Sequence, residues 1–187
     1  FGIHKRDILV ERVQEGRDAQ EAAKEQFQSA LEAFRAVESF DGGDLEQVYD
    51  ELNDEYQASE SRVTAVKSRI DSIEDVAEDL FAEWKEELGQ YRDAELKRKS
   101  EQTMLETKDR YADLIDAMRR SEVKMGPVLA TFGDQVLFLK HNLNAKAIAS
   151  LQGSLVSIER DVEGLIREME ASIAEADAFI DSMEGGG

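Results

Sequence analysis

Cysteine, proline and histidine are absent or scarce in this sequence, and their absence narrows the chemistry. Among 187 residues there are no cysteines, one proline and two histidines. Without cysteine the chain has no disulfides, no thiolate metal site and no cysteine nucleophile. His4 and His141 do not follow a glutamate by three residues, so the Glu-x-x-His pattern of di-iron helical bundles is missing. A ferritin-like oxidase is therefore not expected.

The signatures of other common enzymes and of membrane spans are also missing. There is no Gly-rich phosphate loop, no His-Glu-x-x-His helix, no Gly-x-Ser-x-Gly elbow and no EF-hand loop. No apolar run approaches the roughly 18–20 residues that span a bilayer as a helix. We therefore predict that the protein is not an enzyme and has no catalytic, cofactor-binding or metal-binding residues. Because the chain opens at Phe1 without an initiator Met, we expect a mature or trimmed form.

Basic residues are much fewer than acidic ones. The chain has 23 lysines and arginines against 42 aspartates and glutamates, which gives a formal net charge of −19. So acidic a surface repels phosphate backbones, and we expect no nucleic-acid partner. The imbalance is uneven, because residues 1–88 carry 10 basic and 24 acidic side chains whereas residues 89–146 carry 11 and 9. The middle of the chain is the stretch best suited to approach an anionic surface.

What the sequence does contain is a repeated pattern of apolar residues spaced three and four apart. On a helix this spacing draws an apolar stripe along one face, which must be buried against other helices. The stripe recurs four times. It predicts one all-α domain over 1–187, an elongated antiparallel bundle of about four long helices with coiled-coil-like packing. The predicted helices cover 4–40, 44–98, 100–142 with a kink near 126–127, and 144–183.

Turn and cap signals set these boundaries. Asp41-Gly42-Gly43-Asp44 supplies two glycines that tolerate positive φ and an aspartate that can cap the next helix. Ser100 is the predicted cap of the third helix, and Asn142-Leu143-Asn144 separates the third helix from the fourth. Gly126-Pro127 predicts a kink or a short break, because proline removes a backbone donor. The residues from Val136 to Leu139 are all apolar, and we predict that they are the most buried stretch.

An up-down-up-down connection brings the Asp41–Asp44 turn and the Asn142–Asn144 turn to one pole of the bundle. His141, Asn142 and Asn144 lie there and form a candidate partner-binding pole. Such side chains also satisfy unpaired backbone groups where helices end, so a purely structural role at the turn is the alternative. Tight metal binding at His141 is not expected, since a single imidazole offers too few ligands.

Basic residues collect at the opposite pole, where the chain starts and where the second and third helices meet. We predict that they form a basic collar facing a membrane, in which each lysine or arginine near an anionic bilayer is worth about 1 kcal/mol. Capping of helix C-termini and pairing with neighbouring acids is the alternative. The collar consists of Lys5, Arg6, Arg92, Lys97, Arg98 and Lys99.

Three stretches of the sequence are distinctive. They are residues 2–13, which begin Gly2-Ile3-His4-Lys5-Arg6, residues 40–44, which read Phe40-Asp41-Gly42-Gly43-Asp44, and residues 134–153. Together they resemble an uncharacterised family of bacterial helical proteins, catalogued as a domain of unknown function, over nearly the whole chain. Members of that family typically begin with a lipoprotein signal that ends in a lipidated cysteine shortly before the Gly-Ile-His-Lys-Arg stretch. The resemblance therefore implies a periplasmic domain tethered to a membrane by lipid, with no established activity.

Three functions from different classes are open at this point. The first is a non-enzymatic structural or protein-binding component of the bacterial cell envelope, a periplasmic lipoprotein that has an unidentified protein partner and reaches the membrane through its lipid anchor. The second is a cytosolic coiled-coil accessory protein of stress response or chromosome maintenance. The third is an enzyme or metal carrier that uses the pole around His141. Self-association is open as well.

Overall fold

The computed structural model describes residues 2–185, with side chains from His4 onward. These residues form four long α-helices and one short 3₁₀ turn, with no β-strand among them. The helices pack against one another in a bundle, which confirms the all-α fold. Their bounds are α1 Gly2–Ala36, followed by the 3₁₀ turn Val37–Ser39, then α2 Leu45–Leu88, α3 Ala94–His141 and α4 Ala145–Gly185. Phe1, Gly186 and Gly187, the ends of the predicted domain, lie outside the described residues.

Contacts between the helix ends show how the four helices alternate. Lys5 Nζ lies 3.1 Å from Glu83 Oε2, so the beginning of α1 meets the end of α2. We call this end of the bundle, which also holds the α2–α3 connection, the near pole. Gln152, close to the start of α4, donates a 2.9 Å hydrogen bond to the carbonyl of Val37 at the end of α1. The α1–α2 and α3–α4 connections therefore share the other end, the far pole, as predicted.

The core is a predominantly apolar stripe on the inner face of each helix. Towards the far pole it is aromatic, because the ring centroid of Phe132 lies 5.8 Å from that of Phe27 and 5.0 Å from that of Phe34. All three rings are fully buried. Alternating steps of three and four residues return a side chain to the same face of a helix at each turn. The stripe that this spacing predicts is confirmed in all four helices.

The connection between α2 and α3 differs from the prediction. α2 ends at Leu88 rather than near 98, and α3 begins at Ala94 rather than at 100. Asp93 caps α3, because its carboxylate accepts hydrogen bonds from the backbone N–H groups of Glu95 and Leu96 at 2.9 and 3.2 Å. The three-and-four spacing of apolar residues runs past the end of α2 to Tyr91, so the pattern alone puts the boundary too late.

Ser100, the predicted cap, lies inside α3 and has a different role. Its hydroxyl oxygen accepts a 2.9 Å hydrogen bond from the indole N–H of Trp84. The Trp84 ring is half-buried and packs against the core. A partly buried indole needs a polar partner for its N–H, and α3 supplies one across the α2–α3 interface.

The predicted break at Gly126-Pro127 is also corrected, because α3 runs unbroken from Ala94 to His141. Proline has no N–H, so the carbonyl of Val123 loses its partner within the helix. Val123 and Pro127 both lie on the exposed side of α3, where solvent can satisfy a carbonyl group. The helix therefore continues through the proline. A kink at this position stays a prediction.

The apolar run at the end of α3 is not the most buried stretch of the protein. Val136 and Leu139 are buried, but Leu137 is 57% exposed and Phe138 is 48% exposed. Four consecutive residues of a helix point all the way around its axis, whereas α3 packs on the core with one face only. Burial of the whole run would require a helix surrounded on every side.

Candidate functional site

At the far pole the two asparagines of the predicted partner-binding site are engaged in the turn itself. Asn142 donates a 2.9 Å side-chain hydrogen bond to the carbonyl of Phe138. The side-chain oxygen of Asn144 accepts a 2.9 Å hydrogen bond from the backbone N–H of Ala147 and caps α4. Both carboxamides therefore satisfy backbone groups where α3 ends and α4 begins. His141 is the exposed last residue of α3, beside them.

Exposed apolar side chains surround this turn. Leu137 and Phe138 lie on the outward side of α3, and Leu143 lies exposed in the turn. Asp134 and His141 are exposed too, at the spacing that places them on the same outward face as Leu137 and Phe138. The far pole thus exposes three large apolar side chains beside a histidine and an aspartate.

At the near pole the six residues of the predicted collar fall into two groups. The first group is held by the bundle: Lys5 pairs with Glu83, and Arg6 donates a 2.6 Å hydrogen bond to the carbonyl of Met183. Lys99 pairs with Glu95 one turn earlier in α3, at 3.4 Å. The second group is Arg92, Lys97 and Arg98, which are exposed.

Two large apolar residues lie among the basic ones of the near pole. Tyr91 in the α2–α3 turn and Leu96 in the first turn of α3 are both exposed. Residues 83–99 contain five basic and five acidic side chains, so this stretch is neutral in a chain of net charge −19. Apolar, aromatic and basic side chains together suit a lipid–water interface. The sequence pattern indicated the basic residues only, because Tyr91 continues the spacing of the stripe that was predicted to be buried.

Arg119 holds α2 and α3 together in the middle of the rod. It donates hydrogen bonds to Asp71 and Glu74 of α2 at 2.9 Å each, and to Glu122 of α3 at 2.7 Å. Burial opposes the charge on Arg119, but the three carboxylates outweigh it and raise the pKa of the guanidinium. This cluster keeps its arginine charged, so it stabilises the interface and has no use for proton transfer.

Tyr111 lies next to this cluster and is the most strongly perturbed tyrosine. Burial is the main reason that its pKa rises to about 12, and the charge of Glu74 adds to the effect. Its ring centroid lies 5.8 Å from that of Phe81, and Lys108 Nζ lies 5.5 Å from the Phe81 centroid. These contacts describe a packed aromatic group on the α2–α3 interface, not a phenol prepared to ionise.

A cleft of about 560 Å³ runs between α1 and α4, and most of its lining side chains are charged. Arg35 forms ion pairs across it with Glu159 and, at 3.8 Å, with Glu163. Within the described residues no three His, Asp or Glu side chains are grouped so as to hold a metal ion. No helix of the described part of the chain is long and apolar enough to cross a membrane.

Comparison with family models identifies the family of this chain. The model described as Protein of unknown function (DUF2959) matches residues 1–183. The chain belongs to this family. Comparisons with curated proteins and with solved structures gave no match. Membership in DUF2959 confirms the resemblance carried by residues 2–13, 40–44 and 134–153. The family description assigns no activity, so roles for residues at the two poles rest on geometry and charge.

Proposed function

We propose that this protein is a non-enzymatic structural or protein-binding component of the bacterial cell envelope. In this proposal a lipid anchor ahead of α1 tethers it on the periplasmic side, with the near pole against the membrane and the far pole projecting. The helices set the reach of the rod, because α3 alone, with 48 residues, is about 70 Å long.

The observation that carries the tethered orientation is the composition of the near pole. The start of α1, where an anchor would attach, shares this pole with exposed Tyr91, Leu96, Lys97 and Arg98. Tyrosine is favoured at the headgroup level of a bilayer, and basic side chains are attracted to anionic lipids. The anchor and these side chains would therefore act on the same membrane surface.

A non-enzymatic role is supported by the origin of the perturbed titratable groups. The pKa of Arg17 is raised mainly by its hydrogen bond to Asp177, and that of Tyr56 mainly by burial. Arg119 and Tyr111 are neighbours on the α2–α3 interface, whereas Arg17 and Tyr56 lie elsewhere along the rod. Perturbed groups that line one cleft would favour catalysis, whereas burial and helix–helix contacts account for these four.

The tether is tested with the whole encoded protein, including any segment ahead of Phe1, produced in its own bacterium with a C-terminal epitope. We expect incorporation of labelled fatty acid, fractionation with membranes, and digestion by protease only after the outer membrane is opened. The matched control is the same chain started at Gly2, which should be unlabelled. Recovery of the unlabelled whole protein in the cytosol would refute the proposal.

A further inference from the structure

The first half of α1 buries little apolar surface for its length. Residues 4–20 bury two large apolar side chains, those of Leu9 and Val13. At the next two inward positions lie Gly16, which has no side chain to bury, and Gln20. Eight of these 17 residues are charged. Because packing of an apolar face supplies most of the stability of a helix in a protein, this segment is weakly held.

The second half of α1 is held by larger side chains. Phe27, Leu31 and Phe34 are buried there, and both phenylalanine rings pack against Phe132 of α3. Aromatic side chains bury more area than other residues and dominate the energetics of a core. The two halves of this one helix therefore differ in how strongly the bundle holds them.

Gln20 lies at the boundary between the two halves. Its side chain is fully buried, and both of its amide atoms lack a hydrogen-bond partner among the described residues. A buried polar group without a partner regains its hydrogen bonds when it reaches water. Detachment of α1 as far as Gln20 therefore gains from solvation of this amide, whereas detachment beyond it must expose Phe27.

Polar contacts supply the rest of the attachment of residues 4–20. They join Lys5 to Glu83, Arg6 to the carbonyl of Met183, Glu15 to Arg69, and Arg17 to Asp177. All four residues of α1 in these contacts are partly exposed to water. Ion pairs at an exposed surface contribute little net stability, because water and salt screen them. These contacts therefore fix where the segment docks without holding it strongly.

We propose that residues 4–20, which we call the strap, detach from the bundle as one unit while the rest of the rod stays folded. Opening of part of a protein is expected where a segment makes few buried apolar contacts. A single helix of this length is marginal in water, so the detached strap also loses its helical hydrogen bonds. The opening follows from the packing alone and does not require the lipid tether.

In the tethered protein the strap lies between the anchor and the rod, so its use there rests on the proposed function. Docked as a helix, the strap spans about 26 Å, whereas the same residues reach at most about 58 Å as an extended chain. Release of the strap therefore lets the rod stand farther from the membrane without unfolding.

Hydrogen exchange of the backbone amides of the untethered chain, followed by NMR, tests the strap. We expect the amides of residues 9–18 to share one level of protection, at least about tenfold below that of residues 27–34. Phe132→Leu weakens the aromatic packing around the second half of α1 only. It should accelerate exchange at residues 27–34 by about tenfold and at residues 9–18 by less than about twofold. Equal acceleration of the two halves, or a steady gradient of protection with no step near Gln20, would overturn the proposal.

Thiol labelling gives a second measurement, since the chain has no cysteine. Val13 in the strap and Ala30 in the second half of α1 are both fully buried, and a buried thiol reacts only when its segment opens. We expect Val13→Cys to react at least about tenfold faster than Ala30→Cys. Similar rates would contradict a separate opening of the strap. The cell fractionation described above is independent of this result, so a failed strap and a failed tether are distinguishable.

Discussion

Several polar side chains are buried in the core in the middle of the rod, where the other inward-facing residues are apolar. Both amide atoms of Gln20 and the hydroxyl groups of Ser121 and Ser172 are buried without a hydrogen-bond partner among the described residues. The Lys124–Glu168 ion pair aligns α3 with α4, so Ser121 and Ser172 lie within about one turn of the same height. The three-and-four spacing predicts that such positions face inward. It does not reveal whether a polar group finds a partner there.

Replacement of Gln20 tests the energetic consequence of this burial. We expect Gln20→Leu to raise the free energy of unfolding by about 1–3 kcal/mol, because it removes two unpaired polar atoms at nearly constant volume. The measurement is urea denaturation followed by circular dichroism. Gln57→Leu, at an exposed position of α2, is the matched control and should change stability by less than about 0.5 kcal/mol. Destabilisation by Gln20→Leu would mean that the amide is well paired in solution.

Phe132 and Phe138 of α3 are both apolar, but only Phe132 is buried, so their replacement tests how much burial contributes to stability. We expect Phe132→Ala to lower the free energy of unfolding by about 3–5 kcal/mol, because it opens a cavity between Phe27 and Phe34. Phe138→Ala should cost less than about 1 kcal/mol, since nearly half of that side chain is exposed. Thermal and urea denaturation of the two variants provide the comparison. Similar losses for both would place Phe138 in the core, as the apolar run alone suggests.

At the scale of the helices, periodicity predicted the number of elements and their inward faces, but not every boundary. The α1–α2 turn was predictable because Gly42 and Gly43 interrupt the pattern, and Gly42 does adopt a positive φ of 118°. The α2–α3 turn was not, because Leu88 and Tyr91 continue the apolar spacing into it. Its cap, Asp93, is one carboxylate among 42 and carries no distinctive signal.

Two glycines within helices should respond differently to alanine. Gly153 lies on the exposed side of α4, where an added Cβ meets nothing within 4 Å. We expect Gly153→Ala to stabilise the protein by about 0.5–1 kcal/mol through its higher helix propensity. Gly16 of α1 is buried, and a Cβ there would lie 2.7 Å from Ile73 Cδ1. Overpacking should remove the gain, so we expect the Gly16→Ala variant to have a lower melting temperature than the Gly153→Ala variant. The reverse order of melting temperatures would contradict the packing at Gly16.

At the scale of the whole molecule, alternation of four helices predicted which connections share a pole, and the contact between Gln152 and Val37 confirms it. The sequence also predicted which basic residues meet at the near pole. Their partners were not predictable, because ion pairs such as Lys5–Glu83 join positions far apart in the chain. The exposed apolar surfaces were harder still to recognise. An exposed Phe138 and a buried Phe132 follow similar apolar spacing, and only the packing of the bundle distinguishes them.

Approach of the near pole to a membrane can be followed with the only tryptophan of the chain. Trp84 lies one turn before the end of α2, and its indole N–H is bonded to Ser100, about one turn after Lys97 in α3. The rod is coupled to vesicles through a lipid on an added N-terminal cysteine, and lipids with brominated acyl chains quench the indole if the pole reaches the interface. We expect stronger quenching on anionic than on neutral vesicles, with the difference lost at high salt, because the attraction is electrostatic.

Two double variants decide which basic residues carry this attraction. Lys97→Gln with Arg98→Gln removes two exposed charges, each worth about 1 kcal/mol near an anionic surface, and should reduce the salt-sensitive quenching of Trp84. Arg62→Gln with Lys67→Gln removes two exposed charges of α2 farther from the near pole and is the matched control. The control should leave the quenching unchanged, because a charge several Debye lengths from the bilayer is screened. Equal effects of the two double variants would show that net charge, and not the near pole, governs the contact. If anionic and neutral vesicles quench Trp84 alike, Arg92, Lys97 and Arg98 make no electrostatic contact with the bilayer.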